Sequence, residues 1–331
     1  MALISGRPVG ILGTGIGVPD KIVDNKYFET IVNTSDEWIV SRSGIHERRV
    51  ADGESCAELA STASVSALRD AGVNARDVDM VIVGTNSPDT LFPGVGPTVQ
   101  SMIGAERAGG MDIQAGCPGA LFGMAAAAGG IASGLWENVI VAGSEVMTPL
   151  IDQTDRTTCV LFGDGAGACV MGIWREGAIR LTHAELRSDG SKGDFIILPA
   201  GLSAEPATEE TLRGRRHFVQ MNGREVFKFV NRELPDFLES FCESSGASVN
   251  GIDLWIFHQA NVRIIESVSR RMNIPMERVV INLDRYGNTS AASVMIALHE
   301  ARTEGKIQKG DKIVIVSFGA GMTYGALLAE A

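Results

Sequence analysis

The strongest constraint on this chain is a repeat of its own strand pattern at a fixed distance. Val78-Asp79-Met80-Val81-Ile82-Val83 and Ile252-Asp253-Leu254-Trp255-Ile256-Phe257 are both short apolar strand runs, placed 253 − 79 = 174 residues apart. Val139-Ile140-Val141 and Ile313-Val314-Ile315 keep that separation, 313 − 139 = 174. Between them, two strand-to-helix turns, at Cys117 and Asn288, correspond at 288 − 117 = 171. Two β-α units in one register point to a duplicated α/β architecture with pseudo-twofold symmetry. The polar and glycine-rich segment Trp174-Arg175-Glu176-Gly177 divides it into a first half, 1–175, and a second, 176–331. Ligand sites in such folds gather at strand ends where the halves meet, so those turns are where chemistry is expected.

With 331 residues the chain can hold about two domains. Its formal charge of −11 argues against nucleic-acid binding, which needs a basic face. An acidic protein partner would need a local basic patch. The longest apolar runs are too short and too broken by glycine to cross a bilayer, so no membrane role is expected. Met1 to Arg7 leads directly into a strand, without the charged-then-apolar plan of a leader. The five cysteines are odd in number and widely spaced, with no C-x-x-C pair, which fits a reduced, cytoplasmic chain.

One of those cysteines sits on the turn of the first half. Gly110-Met111-Asp112-Ile113-Gln114-Ala115 reads as a strand, Gly116-Cys117-Pro118-Gly119 as a tight turn, and Ala120 onward as an alanine-rich helix. Pro118 suits the first helical position, where its missing N–H costs nothing. Cys117 then lies at the helix start, where free N–H groups and the dipole favour thiolate over thiol. An inert buried cysteine is the competing reading of the turn taken alone.

Elsewhere, Gly13, Gly15 and Gly17 follow a first strand in a G-x-G-x-G pattern, but Pro19-Asp20 replaces the helix that a dinucleotide site requires. Close backbone packing is the better reading. Thr34, followed by Glu37, reads as a capping box opening a helix that carries Trp38 and Arg42 on one face. That pair either sandwiches an adenine and holds a phosphate or is an ordinary surface face. Ser55 to Ala71 reads as an amphipathic helix, and Pro97 to Ile103 as a short one. Phe162-Gly163-Asp164-Gly165 lacks the lysine of a phosphate loop and reads as a packing turn. The polar stretch from Arg187 to His217 reads as an excursion or lid.

Second-half strand ends carry polar groups: His258 in Phe257-His258-Gln259-Ala260-Asn261, Asn288 in Tyr286-Gly287-Asn288-Thr289-Ser290, and a glycine turn at Phe318-Gly319-Ala320-Gly321. Singly, each is a common structural residue; under the duplication, all converge on Cys117. This set, with Thr34-Ser35-Asp36-Glu37-Trp38 and Phe162-Gly163-Asp164-Gly165, resembles the β-ketoacyl-acyl-carrier-protein synthase III family of the thiolase superfamily over essentially the whole chain.

The resemblance implies a five-layer α-β-α-β-α fold and a homodimer. It implies decarboxylating Claisen condensation of an acyl-CoA primer with malonyl-acyl-carrier-protein, initiating fatty-acid synthesis, with no cofactor or metal. Cys117 would accept the acyl group, and His258 and Asn288 would support decarboxylation. Backbone N–H groups of Cys117 and Ala320 would form an oxyanion hole. Trp38, Arg42 and Arg156 would hold the CoA nucleotide, while Phe227 would wall the pantetheine channel and Asn261 lie near the pantetheine. Phe92 would wall the partner subunit's acyl pocket, and Lys228, Arg263 and Arg270, joined by Arg271, would dock the acyl carrier protein. Pro118 and Ala320 depart from the commoner family residues, and with the 187–217 segment they bear on primer choice. The alternatives are a related condensing enzyme or acyltransferase of secondary metabolism, and an inactive acyl-binding partner.

Overall fold

A computed structural model describes residues 5–331; Met1 to Ile4, part of the expected leaderless start, lie outside the described residues. The first half supplies strands β1 (Val9–Gly17), β2 (Met80–Gly84), β3 (Gly109–Ile113), β4 (Asn138–Glu145) and β5 (Gly165–Ile173). The second supplies β6 (Ile179–Ser188), β7 (Leu254–Phe257), β8 (Lys312–Gly319) and β9 (Thr323–Glu330). Seven helices carry the argument: α1 (Asp36–Ser43), α2 (Cys56–Ala71), α3 (Val95–Met102), α4 (Gly119–Ser133), α5 (Gly223–Ser245), α6 (Val262–Arg271) and α7 (Ser293–Thr303).

The strands form one mixed sheet in the order β7-β8-β9-β6-β1-β5-β4-β2-β3. Each half repeats the same scheme, a parallel pair followed by antiparallel neighbours. The duplication holds at the level of register: Met80 pairs with Val139 and Leu254 with Ile313, so both members of the pair are displaced by 254 − 80 = 313 − 139 = 174. β1 and β6 then join the two sets of strands, pairing Val9 with Leu181.

Strand side chains alternate in direction, and each half therefore buries two faces. Val81 and Val83 pack with Leu59, Ala63 and Ala67 of α2 on the outside. Trp255 and Phe257 pack with Phe237 and Phe241 of α5 and Ile265 of α6 on the other outside. Ile82 and Ile256 turn inward onto a shared core built on Leu121, Met124 and Ile131 of α4 and Val294 and Leu298 of α7. The result is the layered α-β-α-β-α arrangement, with α4 and α7 in the middle. A helix apolar on every side belongs in such a layer.

The glycines of the first strand serve packing, not a nucleotide. A Cβ on Gly15 would stand 2.4 Å from the carbonyl oxygen of Ala63 and 2.5 Å from the amide nitrogen of Ala67, so α2 rests directly on the strand. Gly15→Ala is expected to cost about 1–3 kcal/mol through overpacking, read as a lower urea midpoint at unchanged m-value.

Several boundaries differ from the sequence expectation. The cap of α1 is Ser35, whose hydroxyl accepts from the Trp38 amide at 3.1 Å, and the Thr34 hydroxyl is buried without a partner. The third helix starts at Val95 because Asp112, from the neighbouring strand, accepts the amides of Val95 and Gly96 at 2.8 and 2.6 Å. Pro118 occupies the cap position of α4, one residue before the helix begins. β6 continues to Ser188, so the excursion begins later than Arg187. It is an ordered wall, fastened by a Gln220–Ile197 strand pairing, an Arg216–Glu205 ion pair and an Arg215–Asp152 ion pair.

Candidate active site

A cavity of about 1380 Å³ opens between the halves. Cys117, His258, Asn288 and Ala320 meet in its lining, as do Trp38, Arg42, Arg156, Phe227, Lys228, Asn261 and Arg263.

Cys117 enters from the turn between β3 and α4. Gly116 has φ +62°, and a Cβ there would stand 2.8 Å from the amide nitrogen of Ala320. A Cβ on Gly319 would stand 2.6 Å from the Cys117 amide nitrogen. Two glycines thus let the two turns touch backbone to backbone, which brings the N–H groups of Cys117 and Ala320 to the sulfur. The helix start alone predicts a depressed thiol pKa, and the fold reverses that expectation. Burial at the cavity floor pushes the thiol up to about 11, against the lowering action of the Ser290 hydroxyl and of both N–H groups. The charge of Glu145 pushes in the same direction as burial. Alkylation of Cys117 by iodoacetamide, followed by peptide mass, is expected to keep accelerating with pH toward about 11. A plateau already reached at neutral pH would contradict this.

His258 follows the buried strand β7. Its amide donates to Val316 at 2.7 Å, and its ring lies edge-on to Phe318. Nδ1 is 2.6 Å from the Ser293 hydroxyl. That hydroxyl also accepts from the Gln259 amide at 3.4 Å, and with Nδ1 engaged by Ser293 the ring's other nitrogen, Nε2, is the one left for a ligand in the cavity. Burial lowers the imidazole to about 3, so the ring is neutral at neutral pH. Asn288 is fixed by backbone bonds to Leu161 and Gly163 and by its Oδ1, which accepts from the Ser290 amide at 2.9 Å. Its Nδ2 is left as a donor. The Phe162-Gly163-Asp164-Gly165 turn is therefore the support of Asn288, with a Cβ at Gly163 reaching within 2.3 Å of the Tyr286 carbonyl oxygen.

At the cavity mouth the guanidinium over Trp38 is that of Arg156, 4.7 Å from the ring centroid, and not that of Arg42, the helical neighbour. Asn261 caps α6, accepting from the Arg263 amide at 2.9 Å. Arg263 donates to the Ser41 carbonyl at 2.6 Å, and Lys228 pairs with Glu225 at 2.6 Å. Arg270 does not line the cavity; seven residues beyond Arg263, it stands about 10 Å along the helix, at the far end. Arg271 is engaged with Asp236 at 2.6 Å. Phe92 is 82% exposed on a loop tip outside the cavity, while its neighbour Leu91 lines it. Sequence reasoning missed Arg224, one turn before Lys228 on α5 and on the cavity wall; its i, i+4 spacing was the available signal. It also missed Ser290 and Ser293, which lie only two and five residues beyond Asn288.

A Cys-His-Asn set with a two-amide oxyanion site on this layered fold defines the thiolase-type condensing enzymes. The profile for 3-oxoacyl-(acyl-carrier-protein) synthase III matches residues 111–190, and that for its C-terminal region matches residues 242–331. A β-ketoacyl-(acyl-carrier-protein) synthase III from Symbiobacterium thermophilum is 45% identical over 97% of both chains. The crystal structure of the Aquifex aeolicus 3-oxoacyl-(acyl-carrier-protein) synthase III superposes with a TM-score of 0.90 at 38% identity, covering 98% of this chain and 100% of that one. The priming β-ketosynthase of the R1128 polyketide pathway gives 0.89 at 31% identity, covering 98% and 97%. The chain belongs to the β-ketoacyl-(acyl-carrier-protein) synthase III family.

Proposed function

We propose that the protein condenses an acyl-CoA primer with malonyl-acyl-carrier-protein, with loss of CO₂, to start fatty-acid chains. The observation that carries the reading is the convergence of one sulfur, a neutral imidazole, a carboxamide and two backbone N–H groups in the lining of one cavity. The Cys117 sulfur attacks the thioester carbonyl, and the oxyanion rests on the N–H groups of Cys117 and Ala320. CoA departs as the thiol, taking the proton that the sulfur gives up. When the malonyl group then loses CO₂, the electron pair of the broken C–C bond moves into an enolate. Its oxygen accepts from His258 Nε2–H and Asn288 Nδ2–H. The enolate carbon attacks the acyl carbonyl, and the pair of the C–S bond returns to sulfur. Side chains and backbone groups serve every step, and acyl-CoA and the carrier protein enter as substrates.

Trp38 with Arg156 supports a CoA mouth, joined by Arg42, Phe227 and Asn261. Lys228, Arg263 and Arg224 on the rim offer an acidic carrier protein its basic patch, with Arg270 outlying. The exposed Phe92 and the half-exposed edge strand β3 support a homodimer in which Phe92 closes the partner's acyl pocket. Free cysteines throughout support a cytoplasmic location. No helix among the described residues is long and apolar enough to cross a membrane. Relatives named β-ketoacyl-(acyl-carrier-protein) synthase III at 45% and 46% identity over 97% and 95% of this chain support the role in starting fatty-acid chains. The test is intact-mass measurement after incubation with a panel of acyl-CoAs, then with malonyl-carrier protein. A covalent adduct that the second substrate discharges, with CO₂ release, is expected; no adduct with any acyl-CoA would reject the reading.

A further inference from the structure

Glu145, at the end of β4, is fully buried and has no cation in contact among the described residues. It accepts from the Asn86 amide at 3.0 Å, Asn86 Nδ2 at 2.7 Å, Ser87 Oγ at 2.5 Å, Thr85 Oγ1 at 3.3 Å and the Ala291 amide at 3.3 Å. Asn86 Nδ2 also reaches Ser290 Oγ at 3.3 Å, and Ser290 Oγ reaches Cys117 Sγ at 3.5 Å. The polarity of this chain is forced. Glu145 as a carboxylate can only accept, so Nδ2 and not Oδ1 of Asn86 faces it, and Nδ2 can only donate to Ser290. The Ser290 hydroxyl accepts there and has its single proton left for the sulfur. Ser290 also holds φ +47°, a costly conformation for a residue with a side chain, at a site where strain tends to mark function.

We propose that Ser290 is a catalytic hydrogen-bond donor to the Cys117 sulfur, and that Glu145 and Asn86 are positioning residues that fix the direction of that bond. The bond strengthens as negative charge develops on sulfur, so it would serve when the C–S bond breaks and its electron pair returns to Cys117. This deepens the condensing-enzyme reading, since it takes Cys117 as the nucleophile. The charged and titratable groups around the sulfur are Glu145 from β4 and His258 from beyond β7. Cys56 and Asp89 lie on the far side of Glu145.

The test is the rate of Cys117 alkylation by iodoacetamide at about pH 8, where the rate follows the thiolate fraction. It does not require the condensation to occur, so its failure is distinct from failure of the functional reading. Ser290→Gly removes the hydroxyl while accepting the positive φ, and a folded variant is expected. Losing a bond to an anion cuts the thiolate population about tenfold or more. Higher intrinsic nucleophilicity recovers part of this, leaving alkylation about threefold or more slower. Asn86→Ala is expected to slow alkylation when Ser290 is present and to have no further effect in Ser290→Gly. An unchanged or faster rate in Ser290→Gly would overturn the proposal. So would an Asn86→Ala effect of equal size in both backgrounds, the signature of a merely structural role.

Discussion

Cys117→Ala is expected to abolish acyl transfer: the mass of the variant stays unchanged with any acyl-CoA, and condensation falls by about 10⁴-fold or more. The reason lies in the other four cysteines. Cys56, Cys159, Cys169 and Cys242 are buried, and none of them lines the cavity. Burial raises their thiols to about 12, 11, 12 and 11 respectively. No second sulfur can therefore take over, whereas the backbone N–H groups of Cys117 and Ala320 survive the substitution. An acyl adduct on Cys117→Ala, localised by peptide mapping, would move the nucleophile elsewhere and dissolve the mechanism.

His258→Ala and Asn288→Ala are expected to separate the two half-reactions. Each variant should still acquire the acyl mass, because the sulfur and the backbone N–H groups of Cys117 and Ala320 that reach it remain in place. Each should lose about 10²–10³ in decarboxylative condensation, the usual effect of removing one donor from a developing oxyanion. Equal loss of acylation in all three variants would reject this division of labour. His258 adds a pH signature. With its imidazole held down at about 3, it stays neutral across the working range, and its protonation should impose no acid limb on condensation between about pH 5 and 8. The stability consequence has a definite sign. The unfolded chain takes up the proton near 6.5 and the folded one only near 3. Stability is therefore full above about 6.5 and falls as pH drops toward 3.

Both predictions rest on residues that were visible in the sequence, whereas the properties of those residues were not. The duplication, the strand ends and the glycine turns are local patterns, and the structure reproduces the 174-residue offset down to the strand register. Thr34 and Ser35 show how local patterns fail. Both are good caps, and only the path of the incoming chain decides that Ser35 accepts the Trp38 amide. Likewise, the first amides of α3 donate to Asp112, from the neighbouring strand, and no spacing rule can supply it. The partner of Trp38 is a similar case. Helical spacing offers Arg42, but a distant loop delivers Arg156.

The amino-acid sequence by itself determined the α/β class, the repeated halves and the identity of the cysteine, histidine and asparagine, because strand periodicity and turn chemistry are written in neighbouring residues. Only the tertiary structure decided the protonation states of these groups and the direction of their hydrogen bonds. A thiol expected to be acidic at a helix start is held near 11, and an imidazole is kept neutral, because desolvation depends on everything packed around a group. The chain from Glu145 through Asn86 and Ser290 to Cys117 spans residues far apart in the sequence, and it exists only once β4 and the turn at Ser290 are pressed together.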